Sequence, residues 1–343
     1  MKVLVTGTDG YIGTVLGPIL LGQGHQVVGL DTGFYRDSWL YNNKDITKTP
    51  QAIIKDLRHI TTEDLQGFEA VVHLAELSND PLGQLNPEIT YKINHLGSVE
   101  LAEKCKQVGI NRFVYASSCS VYGVAGNDGF KTETSETNPQ TAYAKCKALV
   151  ERDVSALADD DFSPTFLRNA TAYGPSPRMR FDIVLNNLAG LAWTTGQIKM
   201  TSDGTPWRPL VHILDISQAV ACVLDAPREI VHNQIFNVGD TQENYRVKEI
   251  AQIVADTFPG CELTFGSSDG DNRSYRVSFD KISEQLPNFK CQRNALIGAQ
   301  QLHEVFERID MSGEIFKYRG YTRLKQLEYL INTSQLDADF FWK

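Results

Sequence analysis

The chain has 343 residues, more than the roughly 100–200 of a single domain, so one large α/β unit carrying a smaller second domain is expected. With 42% hydrophobic and 22% charged residues, 26 Gly and 13 Pro, its composition excludes disordered, collagenous and coiled-coil chains; six cysteines (Cys105, Cys119, Cys146, Cys222, Cys261 and Cys291) without a CxxC pair exclude a disulfide scaffold. A net charge of −9, with no basic patch to offset it, excludes nucleic acid and anionic membrane as partners.

The opening MKVLVTG runs straight into a glycine turn, without an apolar segment of signal-peptide length, and no later run approaches the roughly 20 residues of a membrane span. A cytoplasmic protein with reduced thiols is expected. In chain order, 2–6, 26–31, 70–75, 112–117 and 164–168 are short apolar or β-branched runs, the pattern of strands buried on both faces. Helical stretches at 11–23, 87–108 and 141–158 separate them. This alternation predicts an α/β fold: a doubly wound parallel sheet with right-handed crossovers and a ligand at the C-terminal ends of its strands. Beyond Tyr173-Gly174-Pro175 the rhythm loosens into a helix-like 181–194, a turn-rich 195–209, a stretch 210–226 that returns to the first unit, a strand at 234–239, and shorter mixed elements over 241–343. The expected division is 1–172 plus about 207–240 for the larger domain, and about 173–206 plus 241–343 for a smaller C-terminal α/β domain.

Gly7-Thr8-Asp9-Gly10-Tyr11-Ile12-Gly13 closes the first strand and opens a helix. Small residues at this spacing let backbone N–H groups and a helix N-terminus approach a pyrophosphate, although glycines there also serve tight packing alone. Asp31 ends the second strand, 18 residues past Gly13. A carboxylate there accepts hydrogen bonds from an adenosine ribose and repels a 2′-phosphate, which favours NAD over NADP. Asp56-Leu57 is positioned to bracket the adenine, a simple helix cap being the alternative.

GxxGYIG near the N-terminus, HLA at 73–75, Asn94, YASSCSVYG at 115–123, Tyr143-Ala-Lys-Cys-Lys147 and WRPLVHILDI at 207–216 together resemble the extended short-chain dehydrogenase/reductases, and within them the nucleotide-sugar epimerase/dehydratase family, over roughly residues 1–280. The resemblance implies an NAD-bound Rossmann-type domain contacted through Gly7, Gly10, Tyr11, Ile12, Gly13, Asp31, Asp56, Leu57, Leu74, Ala75 and Asn94, a C-terminal nucleotide-sugar domain, and a homodimer formed through the 87–108 and 141–158 helices. In YxxxK, Tyr143 and Lys147 share one helix face, so an ammonium favours the ionised phenol; its free pKa of about 10 would make it a poor base at neutral pH, and lowering it is the task of Lys147 together with a cationic nicotinamide. Lys147 is also expected to hold the nicotinamide ribose. Ser118, 25 residues before Tyr143, occupies the family's catalytic Ser/Thr position; its neighbour Ser117 must face the other side of an extended segment.

The two residues after Ser118 discriminate among reactions. The family's dehydratases carry Asp-Glu there, its decarboxylases a Glu and its enolising epimerases a Cys at the second position, whereas this chain has Cys119-Ser120. Without the extra acid or thiolate, the remaining chemistry is hydride removal at one carbon, turning of the keto sugar and hydride return to the other face, most often at C4. The alternatives are an NAD(P)-dependent 4-keto nucleotide-sugar reductase, against which Asp31 weighs, and a non-catalytic NAD-binding regulatory protein. Asn169, Arg208 and Arg273 or Arg276 match the family's contacts to a nucleotide-diphospho sugar, arginine being suited to a diphosphate by its planar fork. No metal site is expected, because the seven His form no HxH or HxxxH pair. Two departures stand out. Glu76 follows HLA where the family has a small apolar residue, implying either repulsion of the cofactor or an outward turn, and Met179-Arg180 belongs to no subfamily signature.

Overall fold

Runs such as Val3-Leu4-Val5 and Val71-Val72 are too apolar to expose either face, and each becomes an interior strand. In a computed structural model describing residues 1–42, 48–124, 129–267 and 274–343, seven strands form one wholly parallel sheet. Its order is Gln234–Val238, Ser163–Asn169, Arg112–Ser118, Ala70–His73, Lys2–Thr6, Gln26–Asp31 and Gln51–Ile54. The chain leaves Lys2–Thr6 towards one edge and returns on its other side with Ala70–His73, so the order reverses beside the first strand. That reversal opens a crevice at the strands' C-terminal ends.

Both faces are covered. Helices Gly13–Gly22 and Ile213–Asp225 pack on one, burying Leu16, Leu20, Ile216 and Val220 against Val3 and Val5. On the other, Gly97–Gln107 and Ala142–Ser155 bury Leu101, Ala102, Val150 and Val154 against Leu4, Phe113 and Phe166. Each fully buried aliphatic side chain contributes about 2 kcal/mol by this burial. Ala142–Ser155 starts at Thr141, whose hydroxyl accepts the Ala144 N–H, and its apolar positions recur at helical spacing. The expected 87–108 helix is divided: a π-helical stretch, Tyr91–Leu96, separates Pro87–Thr90 from Gly97–Gln107. A wider turn re-aims side chains, and here it carries Asn94.

Trp207–His212 pairs with Thr171–Tyr173 and Asn244–Arg246 in a three-stranded sheet, and the following helix, Ile213–Asp225, packs on the large sheet. The turn-rich 195–209 contains the strand Gln197–Lys199, which pairs with Glu262–Thr264. A second core forms around helices Val184–Thr195, Val247–Thr257 and Ala295–Arg308. A cleft of about 640 Å³ is lined by the large sheet's C-terminal ends and by residues of these later elements. Among the described residues no helix is long and apolar enough to cross a membrane, and no group of three or more His, Cys, Asp or Glu could hold a metal ion.

Candidate active site

The glycine turn is shaped by close backbone approach. Gly7 has φ +76°, and a Cβ on Gly13 would lie 2.2 Å from the Gly7 carbonyl oxygen. Only glycine fits there. The helix Gly13–Gly22 has no side-chain cap, and its start at Ile12-Gly13 lines the cleft. Asp31 is held at the cleft rim by two N–H donors, from Gly33 to Oδ1 at 2.8 Å and from Asp9 to Oδ2 at 3.0 Å; burial raises its pKa despite them. A glycine turn opening a helix beside a fixed carboxylate is the arrangement that suits a dinucleotide. Asp9 in turn takes a 2.5 Å ion pair from Arg178, which also donates to the carbonyls of Tyr35 and Arg36.

Leu57, Leu74 and Ala75 line the same cleft, as does Asp56, whose carboxylate is engaged by the Arg58 side chain and N–H. The N–H groups of Leu74 and Ala75 donate to Thr6 Oγ1, 3.2 Å each, and Thr6 lies 2.7 Å from His73 Nδ1. Burial pushes His73 down to about 3, with Lys147 adding to the effect, so the ring is neutral. Tyr11 lines the cleft too, but its hydroxyl is spent on the Gly174 carbonyl at 2.6 Å. Asn94, expected to contact the cofactor, is not among the lining residues. It is fully buried, its Oδ1 accepting the Leu77 N–H and its Nδ2 donating to the Leu77 carbonyl, because the π-helical turn directs it at that loop.

At the other end, Tyr143, Lys147 and Ser118 line the cleft together. Lys147 Nζ is 5.5 Å from the Tyr143 ring centroid, and the Ser118 hydroxyl hydrogen-bonds the Tyr143 phenol. Strand alternation turns Ser117 to the opposite side, where its hydroxyl donates to Glu151 at 2.5 Å; Glu151 in turn pairs with buried Arg168 at 2.6 Å. Cys119 is buried with its thiol donating to the Arg168 carbonyl, and burial drives its pKa far up, while Ser120 lines the cleft.

Glu76 neither turns outward nor stands free to repel a cofactor. Its Oε2 is 2.7 Å from Lys147 Nζ and its Oε1 accepts the Tyr115 hydroxyl at 2.5 Å. Burial raises the Glu76 carboxyl, against the lowering effect of Lys147 and Tyr115. The phenol of Tyr143 is correspondingly pushed up, first by burial, then by Glu76 and Asp80, the reverse of what the Tyr-Lys spacing alone implies.

Asn169 and Arg208 line the cleft; Asn169 Nδ2 reaches the Ser117 carbonyl at 3.4 Å and Arg208 donates to the Trp207 carbonyl at 2.8 Å. Arg276 does not line it and lies over the rings of Phe130 and Trp207, at 4.7 and 5.3 Å. Arg273 falls outside the described residues. The sequence reading missed a charged group on the cleft wall: Arg180 pairs with Asp182 at 2.8 Å, and Asp182 accepts from Asn79 and from the Arg323 N–H. The alternation of Arg178, Arg180 and Asp182 after Pro177 was the available signal. Also unforeseen, Trp342 donates to the Thr32 carbonyl at 2.7 Å and Phe341 stacks on His59, so the 336–343 segment packs beside the Asp31 and Asp56 loops.

The model of the NAD-dependent epimerase/dehydratase family matches residues 3–239. The chain belongs to that family. As a family member it is an NAD-dependent enzyme of Rossmann type. A UDP-glucose 4-epimerase of Corynebacterium glutamicum is 29% identical over 269 residues, which span 74% of this chain and 79% of that protein. A UDP-glucose 4-epimerase of Neisseria meningitidis serogroup C is 29% identical over 264 residues, 69% of this chain and 77% of the relative. Among solved structures, MoeE5 in complex with UDP-glucuronic acid and NAD superposes with a TM-score of 0.76 at 28% identity, covering 90% of this chain and 99% of the other.

Proposed function

We propose that this enzyme epimerises a nucleotide-diphospho sugar, at C4, through a transient 4-keto intermediate. The observation that carries the reading is the grouping of Ser118, Tyr143 and Lys147 at one end of a cleft whose other end is the glycine turn and Asp31, with a buried thiol at Cys119 and a hydroxyl at Ser120 instead of further acids. The UDP-glucose 4-epimerase relatives and the UDP-sugar complexes of MoeE5 support a UDP-hexose as the first substrate class to try.

Bound NAD supplies the hydride acceptor and donor. The chain's own groups handle protons and position: Tyr143 takes the proton of the reacting hydroxyl through Ser118 and later returns it, general acid–base work of about 10²–10⁴-fold. Lys147 anchors the ribose side, and Asn169 and Arg208 hold the diphosphate while the keto sugar turns over. We assign residues about 173–206 plus 241–343 to sugar binding, a cytoplasmic setting in carbohydrate metabolism, and a homodimer through helices Gly97–Gln107 and Ala142–Ser155. A screen of nucleotide-diphospho sugars without added redox cofactor tests the reading. Interconversion of a C4 epimer pair, abolished in Tyr143→Phe, is expected; turnover only with exogenous NADPH, to a reduced product, would replace it with the reductase assignment.

A further inference from the structure

Glu76 follows Leu74-Ala75 beyond the strand Ala70–His73, on the cofactor-facing wall. A lone carboxylate there would be costly, and this one is not alone. Its side chain is 2% exposed and that of Lys147 5%, and they meet at 2.7 Å. Lys147 also donates to the Ala116 carbonyl. The ammonium is thus anchored on two sides, and a buried carboxylate offsets its charge 5.5 Å from the Tyr143 ring.

The charges around Tyr143 come from several elements. Glu76 faces it from the strand end, Asp80 from the helix Asp80–Leu85, Arg180 from the segment before Val184–Thr195, Lys147 from its own helix, and the Ser118 hydroxyl from the strand Arg112–Ser118. Glu76 itself faces the Tyr115 and Ser98 hydroxyls and influences the Cys146 thiol, while His73, near Lys147, is neutral. Two carboxylates therefore stand against two cations around this phenol, one of which is already paired with Glu76 and the other with Asp182.

We propose that Glu76 is a positioning residue for this reaction: it anchors the Lys147 ammonium and cancels its pull on Tyr143, so that the phenol yields its proton when a cationic, oxidised nicotinamide lies beside it and keeps it beside the neutral, reduced form. The YxxxK pair alone would leave Tyr143 acidified in both states. With Glu76 in place, the proton follows the cofactor's charge: absent when a hydroxyl must be deprotonated, present when a ketone must be reduced. The inference rests on the epimerase reading for its use, but the proton on Tyr143 can be observed without any substrate.

Label the protein with ¹³Cζ-tyrosine, assign Tyr143 with Tyr143→Phe, and titrate it with NAD bound and with NADH bound. In the wild type, Tyr143 should stay protonated to about pH 9 with NADH and titrate at least about one pH unit lower with NAD. Glu76→Gln and Glu76→Ala, which remove the charge at different volumes, should each lower the NADH-state midpoint by about one pH unit or more, whereas a merely structural role would leave it in place. An unmoved midpoint in a folded variant overturns the proposal. If thermal melts show neither variant folded, the wild type decides: equal midpoints in the two cofactor states, or a Tyr143 phenolate near neutrality with NADH, also overturn it. A protein that shows these shifts yet epimerises no sugar would refute the reaction assignment and leave the role of Glu76 standing.

Discussion

Gly13→Ala tests the cofactor cradle at its tightest point. The added methyl would sit 2.2 Å from the Gly7 carbonyl oxygen and 2.6 and 2.7 Å from backbone atoms of Thr8, where ordinary contact begins at 3.4 Å. No flexible side chain can yield, so the turn must open by about 1 Å, a strain of about 1–3 kcal/mol. If about 2 kcal/mol of this falls on the bound state, the affinity for NAD drops about 30-fold. Gly22→Ala, at the end of the same helix with nothing within 4 Å of the new methyl, is the control and should be neutral or stabilising by up to about 1 kcal/mol. Calorimetric titration with NAD, alongside thermal melts, separates the two. A folded Gly13→Ala protein that binds NAD as tightly as wild type would refute the assignment of this turn to the pyrophosphate.

Asp31→Ala should reduce the preference for NAD over NADP by at least about tenfold in competitive binding, since the carboxylate is what repels a 2′-phosphate; an unchanged ratio removes Asp31 from the ribose. Glu151→Gln leaves Arg168 buried without its counter-charge and should destabilise the fold by about 3–5 kcal/mol in urea unfolding, so a loss below about 1 kcal/mol would show the pair to be dispensable. His73, held near 3 when folded and near 6.5 when unfolded, binds a proton only in the unfolded chain between those values, so it costs stability as pH falls below about 6.5. His73→Gln should therefore flatten the slope of stability against pH around pH 5 by close to one proton, about 1.4 kcal/mol per pH unit; an identical slope would mean that the folded ring titrates normally.

Much of the fold is visible in local pattern. Strands buried on both faces announce themselves as Val-rich runs, and the glycine turn and the Tyr143–Lys147 spacing are contiguous motifs whose geometry follows from one strand and one helix. What stayed hidden depends on distance in sequence. Glu76 meets Lys147 from 71 positions away and Arg178 meets Asp9 across 169, and nothing in either neighbourhood announces the partner. The carboxylate that offsets the charge of Lys147 is hidden for the same reason: the i, i+4 ammonium is local to Tyr143, while Glu76 is not. Asn94 is a structural hydrogen-bonding group near the site, but the π-helical turn that aims it at Leu77 cannot be told from an α-helical one by apolar spacing. The later third resisted reading because its short strands, such as Gln197–Lys199 with Glu262–Thr264, pair over long separations.

The central claim, epimerisation by removal and return of one hydride under Tyr143 and Ser118, is tested most directly by isotope. The enzyme as purified is incubated with UDP-hexoses in D₂O and the products are read by NMR and mass spectrometry. The account predicts a C4 epimer pair in which no ring carbon has gained deuterium, because the hydrogen never exchanges with solvent, and no product at all with Tyr143→Phe. Deuterium next to C4, loss of water, or full activity in Tyr143→Phe would contradict it.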